Sequence, residues 1–144
     1  MKTEPVCILI VLSDWVVCEQ GTRKNSLIGS FHNFNSPRFP FPTPPFFITV
    51  AITNLDPEVK EYNLCVRIED PKDSSVLANV SGSIKFGEEA KFLKENVFEI
   101  SFPVMPFIIS KPGFYKILVL VNTEVAGQRL LTVNAVSVSA APQQ

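Results

Sequence analysis

His32 is the only histidine in the chain, and alternation along a strand places it on the same face as Ser30 and Ser26. A serine–histidine pair is the start of acyl-transfer chemistry, in which the imidazole takes the hydroxyl proton. Side chains two positions apart on one strand cannot reach that geometry without a third element. No G-x-S-x-G elbow supplies one. His32 therefore reads as a surface histidine near a corner. Cys65 alternates onto a polar face beside Arg67, where a guanidinium would favour the thiolate. The plainer reading is a small residue on a half-covered sheet face. Cys7 and Cys18 lie among apolar residues and read as core.

Carboxylates gather at Asp56 and Glu58, at Glu69, Asp70 and Asp73, and at Glu88 and Glu89. Loop oxygens of this kind can hold calcium, but no D-x-D-x-D-G spacing occurs. The segment EDPKD (69–73) is also an ordinary proline-containing β-turn. GTRKN (21–25) is basic, yet strands flank it where a phosphate cradle would need a glycine-rich loop entering a helix. NVS (79–81) is a glycosylation sequon, without meaning in a cytoplasmic protein. Trp15 is the only tryptophan and the single aromatic free to form a sugar platform, because Tyr62 and Tyr115 look structural. No residue is assigned a catalytic, cofactor-binding or metal-binding role.

The elements that carry these residues follow period two rather than 3.6. FFITVAITN (46–54), YNLCVRIED (62–70) and NVFEISF (96–102) each alternate, giving strands with one face on a core. FYKILVLV (114–121) is apolar on both faces apart from Lys116, as a central strand would be. VCILIVL (6–12) is apolar on both faces too, which predicts a buried strand or one covered by something else. SLIGSFHNF (26–34) completes the early set. Polar turn signals separate the runs. GEEAKFLKEN (87–96) is short enough for one helical turn or an irregular crossover. The expected fold is all-β: an antiparallel, immunoglobulin-like β-sandwich of about eight or nine strands.

Two stretches mark its corners. Residues 37–45 contain five prolines, with Phe39, Phe41, Phe46 and Phe47 among or directly after them. Proline cannot donate to a ladder, so Pro42, Pro44 and Pro45 read as structural residues of a crossover between sheets, with the phenylalanines tucked into its end. The P-x-x-P spacing would serve as a docking ligand only if those rings stayed wet, at about 1.5–3 kcal/mol each. One X-Pro bond in this segment is a candidate for the cis form. In KPGFYKILV (111–119), Gly113 and Tyr115 resemble the tyrosine corner of immunoglobulin-like folds. The position two residues on is Ile117 rather than cysteine, and Trp15 is on an early strand, so this is not an antibody-type domain.

SDWVV (13–17), KNSLIGSF (24–31), PRFPFPTPPFFI (37–48), VRIEDPKDSSVLA (66–78) and KPGFYKILVLVN (111–122) together resemble a family of small bacterial immunoglobulin-like β-sandwich proteins of unassigned function. Where that family often has cysteine before the aspartate, this chain has Ser13 before Asp14. The resemblance implies a bacterial, intracellular, single-domain sandwich and carries over no catalytic residue.

With 144 residues, 46% hydrophobic and 19% charged, the chain fits one domain, expected over 1–140 with a flexible tail over 141–144. Its net charge of −1, with signs interspersed, gives neither nucleic acid nor a membrane surface a basic stripe to hold. Three widely spaced cysteines form no disulfide framework, and with one histidine and no C-x-x-C a zinc cage is excluded. The opening apolar run of seven residues is flanked by Glu4, Pro5 and Asp14 and lacks a cleavage site, so the expected location is cytoplasmic. The expected function is a non-catalytic protein-interaction module that binds another protein or itself. The alternative is a small-ligand or carbohydrate-binding sandwich using Trp15. Enzymes, and extracellular or virion structural domains, are weaker readings.

Overall fold

Alternation decides which side of each strand meets the core. A computed structural model describes residues 4–137, and among these the chain forms strands and no helix, so no helix is long and apolar enough to cross a membrane. The strands are β1 (Val6–Cys18), β2 (Asn25–Phe31), β3 (Asn33–Ser36), β4 (Phe41–Pro42), β5 (Phe46–Thr53), β6 (Glu61–Glu69), β7 (Val76–Lys85), β8 (Phe98–Val104), β9 (Ile108–Ile109), β10 (Gly113–Val121) and β11 (Glu124–Ala135). They make a four-stranded sheet in the order β2-β1-β5-β8, a five-stranded sheet in the order β3-β11-β10-β6-β7, and a small β4-β9 ribbon. All pairings are antiparallel except β11 with β3.

The two larger sheets share one core. Phe46, Ile48, Val50 and Ile52 face it from β5, Tyr62, Leu64, Val66 and Ile68 from β6, and Tyr115, Ile117, Val119 and Val121 from β10. Each such side chain contributes about 1.5–3 kcal/mol relative to exposure. The expected tail over 141–144 lies outside the described residues.

The proline segment closes one end. β3 belongs to the five-stranded sheet and β5 to the four-stranded one, so residues 37–45 cross between them. Phe34 and Phe46 are buried, while Phe31, Phe39 and Phe41 pack against the same core. Neighbouring rings meet at 5.1–5.7 Å, as aromatic pairs favour. Pro42, Pro44 and Pro45 stay exposed, so they direct the chain rather than fill space. Pro42 pairs with Ile108 in the β4-β9 ribbon. Beside it the buried Thr43 donates its N–H to the Phe107 carbonyl at 2.9 Å and accepts the Phe107 N–H on Oγ1 at 3.1 Å. The Phe39–Pro40 peptide bond is cis.

Three expectations are corrected. The run 26–34 is two strands in two sheets, broken at His32. Phe31 and Phe34 are an odd number of positions apart and would face opposite ways on one strand; their rings meet at 5.1 Å only because the bend resets the phase. The segment 87–96 contains no helical turn. It makes two β-turns, closed by Ala90 N–H to the Gly87 carbonyl and Asn96 N–H to the Leu93 carbonyl, each at 2.9 Å. Phe86, Phe92 and Phe98 stack at 4.4–5.2 Å and hold this crossover down. Lastly, β1 runs to Cys18 and leaves much of its apolar content exposed instead of buried on both faces.

At the entry to β10, Gly113 has φ +148°, a conformation that favours glycine. The Tyr115 hydroxyl donates to the Lys111 carbonyl at 2.6 Å, and burial pushes its phenol above the usual range. Tyr115→Phe is expected to lower stability by about 0.5–1.5 kcal/mol, since one hydrogen bond is lost and the ring packing kept. Urea unfolding measures this; no change would mean that the hydroxyl bond contributes nothing.

Candidate functional site

The residues singled out for chemistry lie apart. His32 is exposed at the bend between β2 and β3, and its Nδ1 is 3.4 Å from Nη2 of Arg129. A guanidinium only donates, so the imidazole accepts there. Ser30 pairs instead with Ser13 of β1. Cys65 is half-buried on the outer side of the five-stranded sheet, and its thiol donates to Oδ1 of Asn79 at 2.7 Å. Arg67, the group that would favour a thiolate, is turned to Glu69 at 3.3 Å. The recess of about 580 Å³ beside Cys65 is lined by the Cys65 thiol, the Arg67 guanidinium, hydroxyls, an amide and aliphatic groups, with no carboxylate or histidine.

A second recess, about 360 Å³, lies between the 70–75 and 110–113 loops. Its carboxylates serve their own loop: Asp70 Oδ1 accepts the Lys72 N–H and Asp73 Oδ1 the Ser75 N–H, both at 2.9 Å. The bonds from Ser75 hold the Asp73 carboxyl below its ordinary range. Asp56 acts likewise towards the Glu58 N–H. These are turn-forming contacts.

The feature that alternation builds at largest scale is the outer face of the four-stranded sheet. With Leu12 directed inward, β1 turns Leu9, Val11, Ser13, Trp15 and Val17 outward after the bulge between Cys7 and Leu9. Register sets their neighbours. Leu9 lies beside Ala51, Val11 beside Thr49, and Ser13 between Phe47 and Ser30. Trp15 lies beside Ile28 of β2 and meets the Phe47 ring edge-on at 5.5 Å. Trp15 is 58% exposed, Ile28 52%, Val17 44% and Leu9 43%. Trp15, Val17 and Ile28 adjoin one another, whereas Leu9 lies six positions earlier in β1, about 20 Å from Trp15.

This face has relief. Ser13 and Thr49 are fully buried although they point outward, because taller neighbours overhang them. Thr49 and Ser101 satisfy each other through a 2.7 Å hydroxyl pair. Asp14 alternates to the opposite side, where its carboxylate lies against Gly29; a Cβ at Gly29, with φ +68°, would meet Oδ2 at 2.5 Å. The face thus keeps its charge at the border, where Glu99 pairs with Ala51.

The adjoining strand edge is guarded. β2 pairs with β1 only from Leu12 onward, which leaves residues 6–11 without a neighbour on that side. Arg129 of β11 reaches across and donates from Nη1 to the Ile10 carbonyl at 3.0 Å. Gly127 lets β11 approach so closely that an added Cβ would meet the Cys7 Cβ at 2.7 Å. A bulge and a bound carbonyl both blunt an edge against strand addition.

Cys18 is exposed where core was expected, because β1 ends there in the β1–β2 hairpin. Cys7 is half-buried, and burial raises its thiol pKa despite the opposing bonds to Leu9 and Ala51. A raised pKa means less thiolate at a given pH. At pH 8, a maleimide or disulfide reagent is therefore expected to modify Cys18 first and Cys7 slowest, as read by peptide mass spectrometry. Equal rates at Cys7 and Cys18 would contradict the close β1–β11 approach.

Sequence reasoning singled out Trp15, as a sugar platform, and the apolar strand over 6–12, which contains Leu9, as one covered by something else, but it missed Ile28 and Val17. The available signal was the surplus of apolar residues on both sides of β1. Residues 8–134 match a protein-family model described as "Family of unknown function (DUF6941)". No curated protein matches the chain.

Proposed function

The chain belongs to the DUF6941 family, whose description gives no activity, and we propose that it is a non-catalytic protein-interaction module docking through the outer face of its four-stranded sheet. The observation that carries this reading is the exposed cluster of Trp15, Ile28 and Val17, with Leu9 further along the same charge-poor face. Aromatic anchors ringed by small polar groups are what protein interfaces use for their central energy. We read the architecture as an immunoglobulin-like sandwich. Two sheets share one core and the Tyr115 hydroxyl folds back to Lys111, in support of that reading. The setting we propose is the bacterial cytosol; the free thiols of Cys7, Cys18 and Cys65 accord with a reducing compartment.

The exposure of Trp15 also favours a second reading, a ligand or sugar platform. Its immediate neighbours argue for the first. Ile28, Val17 and Phe47 are apolar, and the flanking polar groups of β2 on this face are the hydroxyls of Ser26 and Ser30 alone, with no amide or charged group such as sugar recognition uses. Catalysis finds less support still, with His32 beside Arg129 and Cys65 bonded to an amide.

Affinity capture from native cytosol tests the reading. Trp15→Ser combined with Leu9→Ser is expected to lower partner retention at least tenfold while costing about 0.5–3 kcal/mol of stability, since Trp15 gives up its edge-on contact with Phe47, and cooperative urea unfolding should persist. Undiminished retention would remove this face from the account. A saturable change in Trp15 fluorescence with one member of a glycan panel would favour the second reading instead.

A further inference from the structure

We propose that β7 is a self-pairing edge: two copies of the chain join their five-stranded sheets by antiparallel β7–β7 pairing about a two-fold axis at Ser81. This surface is separate from the Trp15 face and does not rest on the docking reading above. Three observations carry it. The first is an open ladder. Among the described residues the larger sheets end in β2, β8, β3 and β7. β3 has four residues, β2 carries Gly29 at φ +68°, outside extended backbone, and β8 contains Pro103, which has no N–H to donate. β7 has ten residues, with neither proline nor charge from Val76 to Ile84. The Phe86 N–H donates to the Lys60 carbonyl at 2.8 Å, so alternation assigns Ile84, Gly82, Val80 and Ala78 to the ladder with β6. Asn79, Ser81 and Ser83 then present N–H and C=O groups to the free side, where an extended backbone is what pairs with them.

The second is an unfinished flank of the core. On β6, Tyr62, Leu64, Val66 and Ile68 are buried, but their β7 neighbours Ile84, Val80 and Ala78 are only half-buried, and Gly82 is exposed. A further strand beside β7 would cover them. The third is the sequence of β7 itself, since a two-fold pairing must be self-complementary. With the axis at Ser81, Asn79 lies opposite Ser83 and Ser81 opposite Ser81 on the outer side, all small and polar. On the core side Val80 lies opposite Gly82 and Ala78 opposite Ile84, so each larger side chain meets a smaller one. Lys85 falls opposite Leu77, and no charge faces its like. An axis at Gly82 would instead set Val80 against Ile84 and leave Gly82 against Gly82.

Sedimentation velocity on the purified full chain, from about 1 to about 200 µM, tests this with amide hydrogen exchange read on the same samples. The expected result is a concentration-dependent rise from 16.0 kDa to twice that mass. The amides of Asn79, Ser81 and Ser83 should slow at least tenfold over the same range, and those of Val80 and Gly82, already in the β6 ladder, should slow less. Ser81→Pro removes the N–H at the axis from both copies and should weaken dimerisation at least tenfold. Ser81→Lys and Ser81→Glu each face themselves across the axis and should weaken it at least threefold, whereas their equimolar mixture should restore it. That restoration also shows that both variants fold. Trp15→Ser should leave the dimer unchanged. A strict monomer at about 200 µM overturns the proposal. So does a dimer indifferent to all three Ser81 substitutions, or a mixture of the Lys and Glu variants that dimerises no better than either alone.

Discussion

The two larger sheets share one core, and each of their strands turns one of its two faces towards it. That constraint governs this molecule. β5, β6 and β10 direct every second side chain into the shared core. β1 has apolar residues on both sides and only one interior to give them to. Leu12 and its inward neighbours take the core, and Leu9, Trp15 and Val17 are left facing out. The exposed face thus follows from a sequence richer in apolar residues than the shared core can hide. Scattered exposed apolar residues are ordinary; here Trp15, Val17 and Ile28 sit together on one face.

The same geometry explains how the flank beside β1 stays closed. Where β2 stops pairing, β1 would present bare carbonyls and amides, the usual seed of unwanted strand addition. Arg129 satisfies one carbonyl from the opposite sheet, and the lack of a side chain at Gly127 lets β11 come close enough to do so. His32 joins this seam as an acceptor for the same guanidinium. A residue whose type first raises the question of catalysis is part of the seam between the layers.

Much of the architecture was legible in the residues. Period-two alternation marked the principal strands, Gly113 and Tyr115 marked a corner, and the proline–phenylalanine stretch marked the crossing between sheets. Three things were not legible, each for a physical reason. The break at His32 depends on Phe31 and Phe34 both finding the core, a tertiary demand that overrides the local pattern. The 87–96 segment has helix-forming residues, yet its one ring, Phe92, is anchored to Phe86 and Phe98, which favours turns. The exposure of β1 could not be read from β1 alone, because a strand with two apolar faces looks the same whether a second layer, a partner or water lies on its far side. Trp15 was recognisable as unusual. Its companion Ile28 could be placed beside it only once the register of β2 on β1 was known.

The account stands or falls on which side chains of β1 and β2 meet solvent in the single chain. Methyl NMR with a soluble nitroxide, at protein concentrations low enough to keep copies apart, reads this directly. The methyls of Leu9, Val17 and Ile28 should broaden strongly, while those of Leu12, Ile48 and Ile117 should remain sharp. Protection of Leu9, Val17 and Ile28 to the level of Leu12 would contradict the account, because the outer face would then be covered within the chain itself.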